Sequence, residues 1–180
     1  MKKKVLVVTV VLVLSLIMVA CGQNDGTENS SGESQTSGKS VGQFTAKTIE
    51  DETVSDEIFK EKKLTVLKLW SVDCSPCLYE MPEVLKLNKN LPDDAQLVTV
   101  VTDKTAPKSE IYKLTGSSKK DYKIIYLNDE IWNNFMNNYT MTPTTLFINQ
   151  KGEIVGDHIG VPDSKDISGE YIKMAKGYIK

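Results

Sequence analysis

Residues 70–82 read WSVDCSPCLYEMP and carry two cysteines, Cys74 and Cys77, separated by a serine and a proline. Three roles are open to such a pair: a metal site, a structural disulfide or a redox-active dithiol. The preceding run LTVLKLW is mostly apolar and predicts a buried strand, whereas the apolar spacing after Cys77 predicts a helix that ends near Leu91. The first cysteine is therefore expected at the start of a helix that closely follows a strand.

A helix start changes the chemistry of Cys74. Unpaired backbone N–H groups and the positive end of the helix dipole favour a thiolate there. The pKa of a cysteine in this setting typically falls from about 8.5 to about 3.5–7.5. Pro76 suits the first helical turn because its φ is fixed and it has no N–H to satisfy. The pattern favours thiol–disulfide exchange, in which Cys74 attacks a partner disulfide and the more buried Cys77 resolves the mixed disulfide.

Residue counts weigh against the other two roles. The 180 residues contain three cysteines and one histidine. Disulfide scaffolds usually carry four or more cysteines, and a bridge across two intervening residues constrains little of the chain. Structural zinc takes four ligands, while the histidine, His158, lies far downstream on a predicted strand. We expect neither a stapled fold nor a metal site, and no cofactor.

Residues 1–20 are typical of a signal peptide, because three lysines precede a charge-free run from Val5 to Ala20. That run is short for a membrane span. It ends in small residues before Cys21, which resembles the lipobox of bacterial lipoproteins, although Met18 replaces the commoner leucine. We expect lipidation of Cys21 and a domain anchored at the extracytoplasmic face of the cell membrane. An uncleaved anchor and ordinary secretion are the alternatives, and both also place the domain outside the cytoplasm.

Residues 21–43 are rich in Gly, Ser and other polar residues, and Val41 is their only aliphatic residue. Such a segment buries too little apolar area to offset its chain entropy, so a flexible tether is predicted. Residues 44–180 remain as one domain. The formal net charge is -2 and all 22 basic residues are lysine. We therefore expect no nucleic-acid partner and no bidentate arginine clamp on phosphate.

Hydrophobic patterns divide the rest of the domain into alternating elements. They predict strands at residues 96–102, 123–127, 144–148 and 153–159, and helices near 109–114, near 130–136 and from 163 or 164 onwards. Strands that alternate with helices and end in a hairpin plus a helix predict an α/β fold with a central mixed sheet flanked by helices.

The combined motifs resemble the thioredoxin fold, in the TlpA/ResA-like branch of membrane-anchored thiol–disulfide oxidoreductases among bacterial lipoproteins. Residues 70–77 match its W-x-x-x-C-x-P-C signature, residues 80–82 its E-x-P continuation, and residues 142–144 its T-P-T segment. CxxC alone is a weak signal, whereas C-x-P-C together with T-P-T at this separation is highly specific. The resemblance covers essentially all of residues 44–180.

The resemblance implies roles for several residues. Pro143 is expected to follow a cis peptide bond and to lie against Cys74, so that the backbone of Thr142 can pair with an extended substrate peptide. Trp70 is expected to pack beneath the cysteine loop. Glu80 is linked in this branch to tuning the cysteines and shuttling protons, and a solvated helix charge is the alternative.

Lys68 departs from the family pattern. Two residues before the tryptophan, thioredoxins carry a buried acid and relatives often have a neutral polar residue. A Lys68 side chain directed towards Cys77 would favour a thiolate and could pair with Glu80, whereas one on the opposite face would be irrelevant. We hypothesise that Lys68 and Glu80 form a coupled pair under the disulfide.

The resemblance implies an enzyme that reduces disulfides of exported proteins, with apocytochrome c or methionine sulfoxide reductase as plausible clients. Electrons would come from a membrane thiol relay. The same site could run as a disulfide-forming oxidant. A copper-binding module of the same fold would have a wider C-x-x-x-C and a nearby histidine. A peroxidase would need T-x-x-C and normally an arginine, but position 71 is Ser and the chain has no arginine.

Overall fold

The computed structural model describes residues 38–119 and 121–179. In chain order its elements are β1 (Lys39–Ser40), β2 (Thr45–Lys47), β3 (Thr53–Ser55), a 3-10 helix (Asp56–Lys60), β4 (Leu64–Trp70), α1 (Ser75–Asn90), β5 (Ala95–Val101), α2 (Lys108–Thr115), β6 (Lys123–Tyr126), α3 (Asp129–Asn134), a second 3-10 helix (Met136–Asn138), β7 (Thr144–Asn149), β8 (Glu153–Ile159) and α4 (Ile167–Tyr178).

Six of these strands form one mixed sheet in the order β1-β8-β7-β4-β5-β6. Strands β4, β5 and β6 run parallel to one another, whereas β7 is antiparallel to β4, β8 to β7 and β1 to β8. The parallel neighbours are joined through helices and the antiparallel pair β7–β8 through a tight turn, as these two kinds of pairing require. The predicted α/β fold with a central mixed sheet is confirmed.

Strand β4 lies at the centre, and every one of its residues is buried. Successive side chains of a strand point to opposite faces. Val66 and Trp70 therefore pack in the apolar cluster that includes residues of α1 and α4, while Leu67 and Leu69 pack in the second cluster on the other face. Lys68 shares the face of Val66 and Trp70. Burial on both faces explains why the strand reads as a nearly continuous apolar run.

The folded domain begins earlier than predicted. Strand β1 pairs with the start of β8, and the Val41 side chain is 1% exposed in the second apolar cluster. The backbone N–H of Val41 donates to the carbonyl of Gly152 at 2.9 Å. The predicted tether end at residue 43 is therefore wrong, because the one aliphatic residue of that segment packs in the core and its neighbours add a strand to the sheet.

The rest of the predicted tether, the predicted signal peptide and Cys21 lie outside the described residues. Within residues 38–119 and 121–179, no helix is both long and apolar enough to cross a membrane.

The C-terminal helix begins later than predicted. Asp166 is its N-cap, and its carboxylate accepts a hydrogen bond from the backbone N–H of Gly169 at 3.1 Å. The predicted start at residue 163 or 164 is wrong because Asp166 satisfies the free N–H groups of the first turn. The shift leaves the apolar stripe unchanged, and Ile167 and Tyr171 are buried against the sheet.

Candidate active site

The cysteine loop and the T-P-T segment meet at one edge of the sheet. Leu69, near the end of β4, pairs with Thr144, the first residue of β7. The residues that follow β4 and those that precede β7 therefore share this edge. The Thr142–Pro143 peptide bond is cis, as expected from the resemblance. A hydrogen bond of 2.8 Å from the Gly160 N–H to the Pro143 carbonyl ties this segment to the end of β8.

The two cysteines form a disulfide with an S–S distance of 2.05 Å. Cys74 is the N-cap of α1, and its Sγ accepts a hydrogen bond from the backbone N–H of Cys77 at 3.2 Å. Cys74 is partly exposed, whereas Cys77 is fully buried. Pro76 lies in the first helical turn, as predicted. The first cysteine is therefore open to contact with another molecule, whereas the second is buried in the interior.

The loop between β4 and α1 is held by hydrogen bonds with the residues that follow β5. Trp70 is fully buried, and its carbonyl accepts a hydrogen bond from the Thr102 N–H at 2.9 Å. The carboxylate of Asp103 accepts a hydrogen bond from the Val72 N–H at 3.0 Å. Sequence reasoning missed Asp103, which follows β5 in a polar stretch. Only the parallel pairing of β4 with β5 brings it under the loop.

Lys68 and Glu80 form an ion pair with 2.7 Å between Nζ and Oε1, and both side chains are 0% exposed. The alternative of a solvated Glu80 is thereby excluded, and Lys68 points into the face that carries Cys77. Burial lowers the pKa of Lys68 because it penalises the charged form, and the Glu80 carboxylate opposes this shift.

Two further residues complete this buried group. The Lys68 ammonium also donates to Thr145 Oγ1 at 2.9 Å and to the Tyr171 hydroxyl at 3.0 Å. The Tyr171 hydroxyl donates in turn to Glu80 Oε2 at 3.1 Å. Burial raises the pKa of Tyr171 strongly, and the neighbouring Glu80 carboxylate adds to the shift. The sequence pattern identified Tyr171 only as part of an apolar stripe, so its polar role was missed.

His158 lies in line with Lys68 and Thr145 across three neighbouring strands. Lys68 pairs with Thr145 across β4 and β7, and Thr145 pairs with His158 across β7 and β8. The partly buried imidazole makes an edge-on contact with the Tyr171 ring, with centroids 6.0 Å apart. Burial lowers the pKa of His158, and the charge of Lys68 lowers it further. The part of the chain that is described holds no group of three or more His, Cys, Asp or Glu side chains that could bind a metal ion.

An accessible cysteine at a helix start, a buried partner three residues on and a cis-proline at the same edge of the sheet define a thioredoxin-type dithiol site. The family comparison agrees with this class: a model of the redoxin family matches residues 36–170. The chain belongs to the redoxin family and is a thioredoxin-like thiol–disulfide oxidoreductase of the TlpA/ResA-like kind.

Relatives at the level of sequence and structure support the assignment. The chain is 32% identical over 130 residues to the thioredoxin-like protein YneN of Bacillus subtilis, covering 72% of this chain and 75% of YneN. The crystal structure of StoA from Bacillus subtilis is 26% identical and has a TM-score of 0.55, covering 73% of this chain and 95% of StoA. The exposed lipoprotein thioredoxin Etrx1 of Streptococcus pneumoniae shares the fold, with 24% identity, a TM-score of 0.56 and coverage of 74% and 99%.

Proposed function

We propose that this protein is an extracytoplasmic reductase of protein disulfides, with Cys74 as the attacking and Cys77 as the resolving cysteine. The observation that carries the proposal is the asymmetry of the disulfide. Its first cysteine is partly exposed at the N-terminus of α1, and its second is fully buried one turn further on. A client can therefore reach Cys74 only, while Cys77 stays close enough to complete the exchange.

The reduction proceeds in two exchanges, starting from the dithiol. The Cys74 thiolate attacks one sulfur of the client disulfide, and the client's other sulfur leaves as a thiolate with the electron pair of the broken bond. Cys77 then gives its proton to a base and attacks the Cys74 sulfur. The second client sulfur leaves as a thiolate, and the Cys74–Cys77 disulfide remains. Glu80, in the following turn of α1, is the buried carboxylate available as that base.

The client is proposed to bind as an extended strand across the T-P-T segment. Thr142 is partly exposed directly before the cis bond, and its backbone can form strand-like hydrogen bonds with a peptide. Met141 is 63% exposed next to it, and Tyr79 is 74% exposed on α1, two residues after Cys77. The two side chains offer apolar contact to a client segment close to its disulfide.

The proposed location is supported by the sequence. The predicted signal peptide and lipobox favour a chain anchored through a lipid on Cys21 at the extracytoplasmic face of the cell membrane. In that compartment the dithiol would be regenerated by a membrane thiol relay, and disulfide-containing exported proteins such as apocytochrome c or methionine sulfoxide reductase are plausible clients. The Etrx1 relative is itself described as an exposed lipoprotein.

A trapping experiment tests the function. The full chain is expressed in its natural setting with Cys77→Ser, so that mixed disulfides on Cys74 persist and can be identified. We expect exported proteins carrying disulfides together with a membrane thiol protein, whereas a Cys74→Ser control should trap neither. If the trapped clients are mainly reduced, newly exported chains, the site runs as an oxidant. The absence of adducts, with stoichiometric copper on the unaltered protein, would overturn the enzymatic role.

The anchor is tested separately. Labelling growing cells with a tagged fatty acid should mark the unaltered chain, and Cys21→Ser should abolish the label and release the domain from the membrane fraction. A label that survives Cys21→Ser would contradict lipidation at this residue. The trapping experiment detects only mixed disulfides on Cys74, so a negative result in one test does not affect the other.

A further inference from the structure

Lys68 and Glu80 are the two fully buried charged side chains in the described part of the protein. A buried ion pair is weak evidence for stability, because removing two charges from water costs about as much as their attraction returns. Such a pair near a redox-active disulfide therefore suggests a role in the reaction. The contacts of the two side chains indicate which of them acts on the other.

The contacts of Lys68 favour the charged ammonium over the neutral amine. Its Nζ lies within 3.0 Å of three oxygens, which belong to Glu80, Thr145 and Tyr171. Since the Tyr171 hydroxyl gives its own proton to Glu80 Oε2, it must accept from Lys68. An ammonium has three N–H donors and a neutral amine only two, so the three acceptors match the charged form. The ammonium also lies 4.2 Å from the centroid of the Tyr171 ring, a favourable cation–π distance.

The same contacts hold the Glu80 carboxylate between two elements. Lys68 on β4 contacts Oε1, and Tyr171 on α4 donates to Oε2. No other described residue donates a hydrogen bond to Oε1, so the Lys68 ammonium, 2.7 Å away, is what balances it. Without that charge, a carboxyl group in this apolar site would take up a proton, because burial favours its neutral form.

We propose that Lys68 is a positioning residue that keeps Glu80 ionised, so that Glu80 can take the proton of Cys77 in the resolving step. This inference rests on the proposed function. Glu80 and Cys77 are three residues apart on α1 and both are fully buried. Residues at this spacing are neighbours on a helix, with about 5–6 Å between their Cβ atoms. A protonated Glu80 has no capacity to accept a proton, so losing Lys68 removes the base as effectively as replacing Glu80.

A direct effect of the Lys68 charge on the thiols makes the opposite prediction. An ammonium acting on a thiolate by itself would assist the reaction, and a nearby carboxylate would oppose it. Removing Lys68 and removing Glu80 would then change the rate in opposite directions. If Lys68 acts through Glu80, both changes slow the same step, and the double variant is no slower than either single variant.

The test uses 5,5′-dithiobis(2-nitrobenzoate) as the disulfide. One equivalent is mixed with the reduced full chain in detergent, with Cys21→Ser in every variant so that only Cys74 and Cys77 react. Attack by Cys74 breaks the reagent's S–S bond and releases one nitrothiolate. Attack by Cys77 on the Cys74 sulfur, with its proton passing to Glu80, releases the second nitrothiolate and leaves the protein disulfide. The two releases are separate absorbance phases, each measurable as a function of pH.

We expect Lys68→Met and Glu80→Gln each to slow the second phase near neutral pH by about 100-fold, the low end of what a general base contributes. The first phase should change much less. Tyr171→Phe keeps the ring but loses the hydroxyl that donates to Glu80 Oε2, and it should slow the second phase by a smaller factor. Lys86→Met is the matched control: Lys86 is an exposed lysine on α1, 3.5 Å from Glu83, and neither phase should change.

Three results would overturn the inference while leaving the proposed function intact. They are an unchanged second phase in Lys68→Met, opposite effects of Lys68→Met and Glu80→Gln, and fully additive slowing in the double variant. Should Lys68→Met fail to fold, an unchanged second phase in Tyr171→Phe has the same consequence. A parent chain that releases no second nitrothiolate would instead contradict the proposed function.

Discussion

Lys68 on β4 and Glu80 on α1 form an ion pair of 2.7 Å, and both side chains are 0% exposed. The pair joins the central strand to the helix that starts at the cysteines. From this position we expect a change in one partner to affect the stability of the fold and, on the proposed mechanism, the rate of disulfide exchange. The two effects can be measured separately.

The first prediction concerns stability. Glu80→Gln leaves the Lys68 ammonium buried without a counterion, and we expect the free energy of unfolding to fall by about 3–5 kcal/mol in a urea titration. Lys68→Met combined with Glu80→Met removes both charges and should recover most of that loss. Glu57→Gln is the control, because the Lys60–Glu57 pair is well exposed and should contribute little to the free energy of unfolding. A double variant as unstable as Glu80→Gln would contradict the prediction.

The second prediction concerns His158, the one histidine of the chain. Burial and the Lys68 charge lower its pKa, so its imidazole should titrate below the ordinary value of about 6.5. An NMR titration of the oxidised protein shows this directly. As the pH falls, the imidazole is protonated in the unfolded chain before it is protonated in the folded protein. The free energy of unfolding should therefore fall as the pH drops below about 6.5. A midpoint at or above the ordinary value would show that the imidazole does not sense the buried lysine.

The third prediction concerns alkaline pH. Burial raises the pKa of Tyr122 to about 12, so its phenol stays neutral in the folded state when the unfolded chain has begun to ionise. The stabilisation is complete below about pH 10 and is lost as the pH rises towards 12. We expect Tyr122→Phe to flatten the fall of unfolding free energy in this range. Tyr79→Phe, at a position 74% exposed, should leave the pH dependence of the unfolding free energy unchanged. The same pH dependence in the parent and in Tyr122→Phe would contradict a raised pKa of Tyr122.

The fourth prediction concerns the start of the domain. Val41→Ala removes the equivalent of two buried CH₂ groups, so the free energy of unfolding should fall by at least about 1.6 kcal/mol, at about 0.8 kcal/mol each. Lys39→Ala, at an exposed neighbouring position, should change it by less than about 0.5 kcal/mol. Equal stabilities for the two variants would mean that this segment is not part of the core in solution.

Much of the fold could be predicted because its signals are local. The apolar run LTVLKLW indicates a strand, and the apolar spacing around Tyr171 indicates a helix, because each pattern shows the period of a single element. Pro76 indicates the first turn of a helix in the same local way. The proposed roles of Cys74 and Cys77 follow from the start of a single helix. Boundaries were less certain: the core contact of Val41 and the cap at Asp166 depend on what neighbouring elements offer, which the chain's own pattern does not show.

The sequence by itself determined the class of fold, the CxxC pair and the presence of an unusual lysine two residues before Trp70. Only the tertiary structure decided which way that lysine points and what surrounds it. Lys68 belongs to β4, Glu80 to α1, Thr145 to β7 and Tyr171 to α4. Each could face solvent in its own element, and sheet register and helix packing bring them together. The physical reason is that a charge is tolerated in the core only where other elements supply its counterion and hydrogen bonds.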